Sequence, residues 1–307
     1  MIDFSKKPLF LAPLAGFSDL PLRSVVKKFG CDVTVSEMIS ANALVYESSD
    51  KTLEMLKKSP NEDPYIVQIA GSDIENIKKA VQIINKFDGI YGLDLNCGCP
   101  VPKVVRQGAG SALLNDLDKL QSIISAIKSV SNKKSLSVKF RLGFNDKNEE
   151  KIAKACEEAG ADYIAVHGRT RAGGYSAKVD YEAIARVKAS VKIPVVANGD
   201  INAQNADEIL NLTKCDALMI GRASIGNPWI FHEIKTKTSV DKALKQKIIL
   251  AHFDAMIEHY GEHGLCIFRK HLHQYSKGID GATTFRNDVN FIKDMAAMRE
   301  RIREFFA

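Results

Sequence analysis

The sequence predicts a (β/α)8 TIM barrel followed by a small C-terminal helical domain. Three observations carry that expectation. Eight short apolar runs rich in β-branched residues alternate with amphipathic helical segments over the first three quarters of the chain. Almost every run stops at a hydrogen-bonding or ionisable residue, where chance would leave several apolar ones. The β-pattern then ends near Phe231, and everything from about Ser239 onwards reads as helix.

In chain order the runs are Leu9–Ala15, Val33–Met38, Tyr65–Ala70, Gly92–Asn96, Leu136–Arg141, Tyr163–His167, Val195–Asn198 and Ala217–Gly221. Near-continuous apolar character marks strands buried on both faces, as in a parallel sheet covered by helices. Helical patterns fall between them at Ile74–Phe87, Leu117–Val130, Glu149–Glu158, Tyr181–Ala189 and Ala203–Leu212. Eight such units in roughly 230 residues fit a closed barrel, whereas an open doubly wound sheet would need fewer strands and a glycine-rich turn after the first. In the tail, Leu244, Ile248, Ile249, Phe253 and Ile257 recur at helical spacing. Further helices are expected over Phe268–Tyr275 and Asn290–Phe306, with a loop around Gly278–Thr284. The expected domains are therefore 1–235 and 236–307.

At 307 residues and 45% hydrophobic content, the chain can bury one large core or two ordinary ones. Lys and Arg exceed Asp and Glu by 43 − 37 = 6, which permits a polyanionic partner without requiring one. Residues 236–307 hold 12 Lys and Arg against 9 Asp and Glu, so this short tail supplies half of the net charge. Apolar stretches reach about eight residues, far short of a membrane span. The N-terminus, Met-Ile-Asp-Phe-Ser-Lys-Lys-Pro, lacks the apolar segment of a secretory signal. Six scattered cysteines frame no disulfide pattern, so a reduced, cytoplasmic protein is expected, and nothing calls for more than a monomer.

Catalytic groups of such barrels gather at the C-terminal ends of the strands. Here those ends read Ala12-Pro13-Leu14-Ala15-Gly16, Ser36-Glu37-Met38, Gln68-Ile69-Ala70-Gly71, Asn96 to Cys99, Lys139-Phe140-Arg141, His167-Gly168-Arg169, Asn198-Gly199-Asp200 and Gly221-Arg222. Gly199 and Gly221 let backbone N–H groups approach a ligand closely after strands seven and eight, where barrels often bind phosphate. Arg222 adds a planar, permanently charged fork. Lys139 leaves an apolar strand and needs a partner, either an anion or electron-rich ring, or a carboxylate of the barrel mouth such as Glu37. His167 reads equally as a ligand or as a structural group. Gln68 and Asn96 suit the edge of a heteroaromatic ring, or else brace loops.

The turn Asp94-Leu-Asn-Cys-Gly-Cys-Pro-Val-Pro-Lys-Val104 is the most informative stretch. Pro100 biases Cys99 towards an extended conformation, so its thiol is presented from a defined turn at a strand end. Cys97 and Cys99 are two apart with no second pair at zinc-site spacing, and no metal is expected. As a nucleophile Cys99 would need a base; as a neutral thiol it can act as a general acid without one.

Six ordered segments resemble the tRNA-dihydrouridine synthases, the B-type bacterial branch above all. They are Ala-Pro-Leu-Ala-Gly-Phe-Ser-Asp (12–19), Ser-Glu-Met-Ile-Ser-Ala (36–41), residues 94–104, Val-His-Gly-Arg-Thr-Arg (166–171), Ala-Asn-Gly-Asp-Ile (197–201) and Met-Ile-Gly-Arg-Ala (219–223). The tail segment Phe-Arg-Lys-His (268–271) also resembles that family's helical domain. Cys97 departs from the pattern, since many relatives are expected to carry methionine or another residue there.

The resemblance implies an FMN-bound barrel over 1–235 that reduces the C5=C6 bond of selected tRNA uridines, with NADPH as reductant. By the same token Pro13, Leu14, Ala15, Gln68, Lys139 and His167 would hold the flavin ring and ribityl region. Asn198, Gly199, Asp200, Gly221 and Arg222 would hold the ribityl chain and phosphate. Asn96 would lie against the ring and the substrate base, with hydride arriving at C6 and Cys99 protonating C5. The helical domain 236–307 would bind tRNA, with Arg171 and Arg269 the leading phosphate contacts and Arg169, Lys103, Arg106, Lys270, Arg286 and residues 299–303 further candidates. Two other readings share these residues: a flavin enzyme reducing or oxidising a free pyrimidine, and a tRNA-binding chaperone without turnover.

Overall fold

The computed structural model describes residues 2–47 and 49–307. Eight parallel strands form a ring: β1 (Leu9–Leu11), β2 (Val33–Val35), β3 (Tyr65–Ala70), β4 (Gly92–Cys97), β5 (Ser135–Arg141), β6 (Tyr163–His167), β7 (Val195–Asn198) and β8 (Ala217–Ile220). It closes where β1 pairs with β8, Leu9 opposite Leu218 and Leu11 opposite Ile220. A two-residue strand, Ile39–Ser40, extends the ladder against the end of β3.

Side chains alternate along a strand, so each strand has an outer and an inner set. Leu93, Leu95 and Cys97 join the layer shared with the helices, as do Leu136, Val138 and Phe140. Asp94 and Asn96, and Ser137, Lys139 and Arg141, therefore point into the barrel. Gln68, His167 and Asn198 join them at the C-terminal ends, while nearer the N-terminal ends the inner set is apolar: Phe10, Val33, Val35, Ile66, Tyr163, Val196 and Met219. Phe4 packs on Phe10 and Tyr163 at ring-centroid distances of 6.2 and 5.4 Å. This apolar plug fills the N-terminal end and leaves polar groups for the other end, where a ligand can enter.

Around the ring run α1 (Leu20–Lys28), α2 (Asp50–Glu54), α3 (Ile74–Asn85), α4 (Pro102–Arg106), α5 (Leu117–Val130), α6 (Glu149–Glu158), α7 (Tyr181–Ser190), α8 (Ala206–Thr213) and α9 (Ile230–Thr236). Asp19, Asp73, Asp116 and Asp180 start four of them by accepting a backbone N–H of the first turn. The strands β1 and β2 stop at Leu11 and Val35, short of the expected Ala15 and Met38. Pro13 has no N–H to give a ladder.

Four helices follow: α10 (Lys242–Tyr260), α11 (His263–Tyr275), α12 (Ala282–Phe291) and α13 (Met295–Phe306). The expected loop at 278–284 ends earlier, because Gly281 adopts φ +77° and α12 begins directly after it. The expected helix over Asn290–Phe306 is two helices. Ile292 turns extended, and Asp294 caps α13 by accepting from the Ala297 N–H. Phe253, Met256, Phe268, Phe285, Met298 and Ile302 make the bundle core, which continues into Val25 of α1 and Trp229 before α9. Among the described residues no helix is long and apolar enough to cross a membrane.

Candidate active site

At the C-terminal mouth of the barrel lies a cavity of about 890 Å³. Its wall includes Pro13, Leu14 and Ala15 after β1, Gln68 of β3, Asn96 and Cys99 at the end of β4, and Lys139 of β5. His167 of β6, Asn198, Gly199 and Asp200 at β7, and Gly221 and Arg222 after β8 complete the other side. Two residues expected to share in substrate binding lie outside it. Arg171 places its guanidinium 4.7 Å from the centre of the Phe144 ring, and Arg269 donates from Nη2 to the Ile292 carbonyl at 2.8 Å. Arg169 corrects an expectation. It is only 4% exposed and is held by the Ala177 carbonyl and the Asp200 carboxylate, so it is not free to meet RNA.

The turn that carries Cys99 is fixed from several directions. Asn96 Oδ1 accepts the N–H of Gly98 at 3.2 Å and of Cys99 at 2.9 Å. The Cys99 carbonyl accepts the Ser111 N–H at 3.1 Å, and Arg141 Nε donates to the Gly98 carbonyl at 2.8 Å. Gly110 has φ +60°, and a Cβ there would lie 2.9 Å from the Cys99 carbonyl oxygen. Only glycine lets the chain pass so close in that conformation. Cys31, Cys97, Cys156 and Cys215 are buried, whereas Cys99 is partly exposed on the cavity wall.

Beneath the turn runs a chain of amides. Asp94 accepts from Gln68 Nε2 at 2.7 Å and from Ser137 Oγ at 2.6 Å, and Gln68 Oε1 accepts from Asn96 Nδ2 at 2.7 Å. Burial pushes the Asp94 carboxyl up to about 6, against the pull of the Ser137 and Gln68 hydrogen bonds. Lys139 Nζ donates to Asn198 Oδ1 at 3.0 Å, and Asn198 Nδ2 donates to the Met219 carbonyl at 2.8 Å. Burial, then the neighbouring Arg141, brings Lys139 down to about 8. Glu37 is not its partner; that carboxylate accepts the Gly16 N–H instead.

Burial and the cations Lys139, Arg141, Arg169 and Arg222 hold His167 well below the ordinary histidine range, so its ring is neutral at pH 7. Arg169 Nη1 lies 3.3 Å from His167 Nε2. A guanidinium only donates, so Nε2 is the acceptor and the ring proton is on Nδ1.

At the rim Asp200, with φ +44°, takes both the Arg169 and Arg222 guanidiniums. The Arg169 hydrogen bond leads in holding its carboxyl below the usual range. Gly199 has φ +129°, and a Cβ there would press within 3.1 Å of Val179 and His167. Sequence reasoning missed Tyr175, whose ring lies 4.8 Å from the Arg222 guanidinium and 5.3 Å from that of Arg141. Arg141 was visible as a strand end, yet its grip on the Cys99 turn was not. Gln274 and Lys277, at and beyond the end of α11, also reach the cavity, so the bundle forms part of its wall.

The family model described as dihydrouridine synthase (Dus) matches residues 10–307. The chain belongs to the dihydrouridine synthase family. A probable tRNA-dihydrouridine synthase of Helicobacter pylori strain J99 is 52% identical over 309 residues, covering 99% of this chain and 94% of that protein. A tRNA-dihydrouridine synthase B of Pseudomonas aeruginosa is 38% identical over 309 residues, covering 97% and 92%. Among solved structures, the old yellow enzyme homologue from Zymomonas mobilis matches at 13% identity with a TM-score of 0.58, over 77% of this chain and 90% of that one. That likeness concerns the fold, and it places this chain among TIM barrels.

Proposed function

We propose that this chain is an FMN-dependent tRNA-dihydrouridine synthase, which reduces the C5=C6 bond of particular tRNA uridines with NADPH as reductant. The observation that carries the reading is a thiol on a rigid turn sharing one cavity with a strongly cationic wall. Among the described residues, Lys139, Arg141, Arg222 and Lys277 line that cavity against the single carboxylate of Asp200. The charge excess suits an anionic ligand, and the amides Gln68, Asn96 and Asn198 suit the edge of a polar ring. These residues therefore fit FMN.

Pro13, Leu14, Ala15, Gln68, Lys139 and His167 would hold its ring and the start of the ribityl chain. Asn198, Gly199, Asp200, Gly221 and Arg222 would hold the rest and the phosphate. In that position the group would supply hydride chemistry at C6 of the uracil, with NADPH as the source of electrons. Asn96 orients the base and the turn together. The Cys99 thiol gives its proton to C5 and regains one from solvent.

A stacked uridine cannot reach a barrel mouth, so the base must be turned out, at a cost of a few kcal/mol that backbone contacts offset. Lys103 and Arg106 of α4 are exposed next to the Cys99 turn and suit that role, with Arg171 and Arg269 further out. The barrel (1–235) is the catalytic, cofactor-binding part, and residues 236–307 bind tRNA in the cytoplasm. Incubating the protein with unmodified tRNA transcripts, FMN and NADPH, then locating dihydrouridine by mass spectrometry, tests this. Product at a defined uridine is expected. A reducible flavin without any product would turn the reading towards a free pyrimidine.

A further inference from the structure

Asp19, His252 and His271 meet where the barrel joins the helical bundle, outside the cavity described above. All three are buried, and their ligand atoms lie within 4.8 Å of one another. Asp19 sits at the start of α1, His252 on α10 and His271 on α11. The two imidazoles stand nearly perpendicular, with ring centres 4.6 Å apart. Nε2 of each is buried without a hydrogen-bond partner, so the two nitrogens do not bond each other. Buried polar atoms are seldom left so.

The carboxylate is also short of a counter-charge. Asp19 accepts the Leu22 N–H at 3.2 Å and the Tyr260 hydroxyl at 3.3 Å, and among the described residues no cation forms an ion pair with it. Lys270 and Arg23 act on it only at longer range: the Lys270 ammonium lies 5.3 Å from the centre of the Phe17 ring, and the Arg23 guanidinium is paired with Glu62. A buried carboxylate with no direct ion pair, beside two imidazole nitrogens without hydrogen-bond partners, is a donor set open to a bound cation.

We propose that Asp19, His252 and His271 bind a divalent transition metal of the zinc class, which clamps the bundle to the barrel. Two imidazoles and one carboxylate are a common donor set for such ions. With bonds of about 2.0–2.2 Å, tetrahedral ligand atoms stand roughly 3.3–3.6 Å apart, so the three side chains need only draw together modestly. Two ligands already have the outer partners that metal sites use. Tyr275 Oη is 2.9 Å from His252 Nδ1, which leaves Nε2 as the free nitrogen, and the Leu22 N–H orients Asp19. Spacing along the chain gives no sign of the site, because its ligands come from three distant segments.

The test uses tag-free, full-length protein, dialysed with Zn²⁺ and then against metal-free buffer, with metal measured by mass spectrometry. One tightly held equivalent per chain is expected, lost in His271→Gln and in His252→Gln, and a chelator should lower the melting temperature reversibly. Should those variants fail to fold, Co²⁺ added to the wild-type chain should still give the visible bands of a tetrahedral nitrogen–oxygen site. Protein that retains no zinc and shows no cobalt bands overturns the proposal in favour of a bridging water. Equal zinc in the folded His variants overturns it as well.

Discussion

The carboxylate of Asp94 decides which way round the Gln68 amide lies. A carboxylate only accepts, so Gln68 must turn its NH2 towards Asp94, at 2.7 Å, and leave its oxygen for Asn96. Asn96 then presents its own oxygen to the N–H groups of Gly98 and Cys99. One buried acceptor thus sets the direction of three successive links, the last of them at the Cys99 turn.

Substitutions at Asp94 should separate hydrogen-bond direction from charge. In Asp94→Asn the new oxygen can serve Gln68, while the new NH2 meets the Ser137 hydroxyl, which rotates to accept. The chain survives, so flavin affinity and turnover should stay near wild type. Asp94→Leu orphans the Gln68 donor, at about 1–3 kcal/mol, and should weaken flavin binding roughly tenfold. Asp94→Asn combined with Ser137→Ala still offers Gln68 an oxygen and orphans only the new NH2, so it should lose stability while keeping flavin affinity near that of Asp94→Asn. Fluorescence titration with FMN reads all three, and equal losses in the Asn and Leu variants would show that charge matters instead.

The same residue predicts a pH effect. Burial raises the folded carboxyl to about 6, above its unfolded value of about 3.9. Between those values the folded chain keeps a proton that the unfolded chain releases, so stability from this group falls as pH rises through the window and is level above it. The full amplitude is up to about 3 kcal/mol. Denaturant melts of wild type and Asp94→Asn from pH 4 to 7 should show the variant gaining relative to wild type by that order. Parallel curves would mean that Asp94 stays ionised in the folded state.

Much of this was legible from residue order. Strands at 65–70, 163–167 and 195–198 appear with their expected limits, because continuous apolar runs between polar ends have no other good solution in a barrel. Polar residues at those ends converge because side chains of period two share one interior. What stayed hidden depends on contacts between distant segments. Tyr175 reads as a loop aromatic until Arg141 and Arg222 are seen against its ring. Gln274 lies in the last turn of α11 and Lys277 just beyond it, and no periodicity encodes how that helix docks. The break at 292–294 is invisible because apolar spacing continues across it, while the Ile292 carbonyl is taken by Arg269 from α11.

Arg222 should act on the phosphate end alone. Its guanidinium already bonds Asp200, and a phosphate would use the remaining donors of the same fork. Arg222→Ala should lower FMN affinity by about tenfold or more while leaving riboflavin, which lacks the phosphate, almost unchanged. The ratio of the two dissociation constants is the readout. A parallel loss for both ligands would move Arg222 from phosphate recognition to support of the cavity wall.

Cys99 offers the sharpest division between binding and chemistry. Its turn is held through backbone groups, Asn96 and Ser111 on one side and Arg141 on the other, so removing the thiol should leave the cavity intact. Cys99→Ala should keep flavin and be reduced by NADPH at the wild-type rate. Loss of a positioned acid typically costs 10²–10⁴-fold, and dihydrouridine formation should fall by that order. Cys99→Ser retains a hydroxyl of much weaker acidity in the same place and should fall between the two. Stopped-flow reduction by NADPH and single-turnover oxidation by tRNA separate the steps. A variant that sheds its flavin would assign Cys99 to the scaffold, and one that oxidises with tRNA at full rate would require another proton donor for C5.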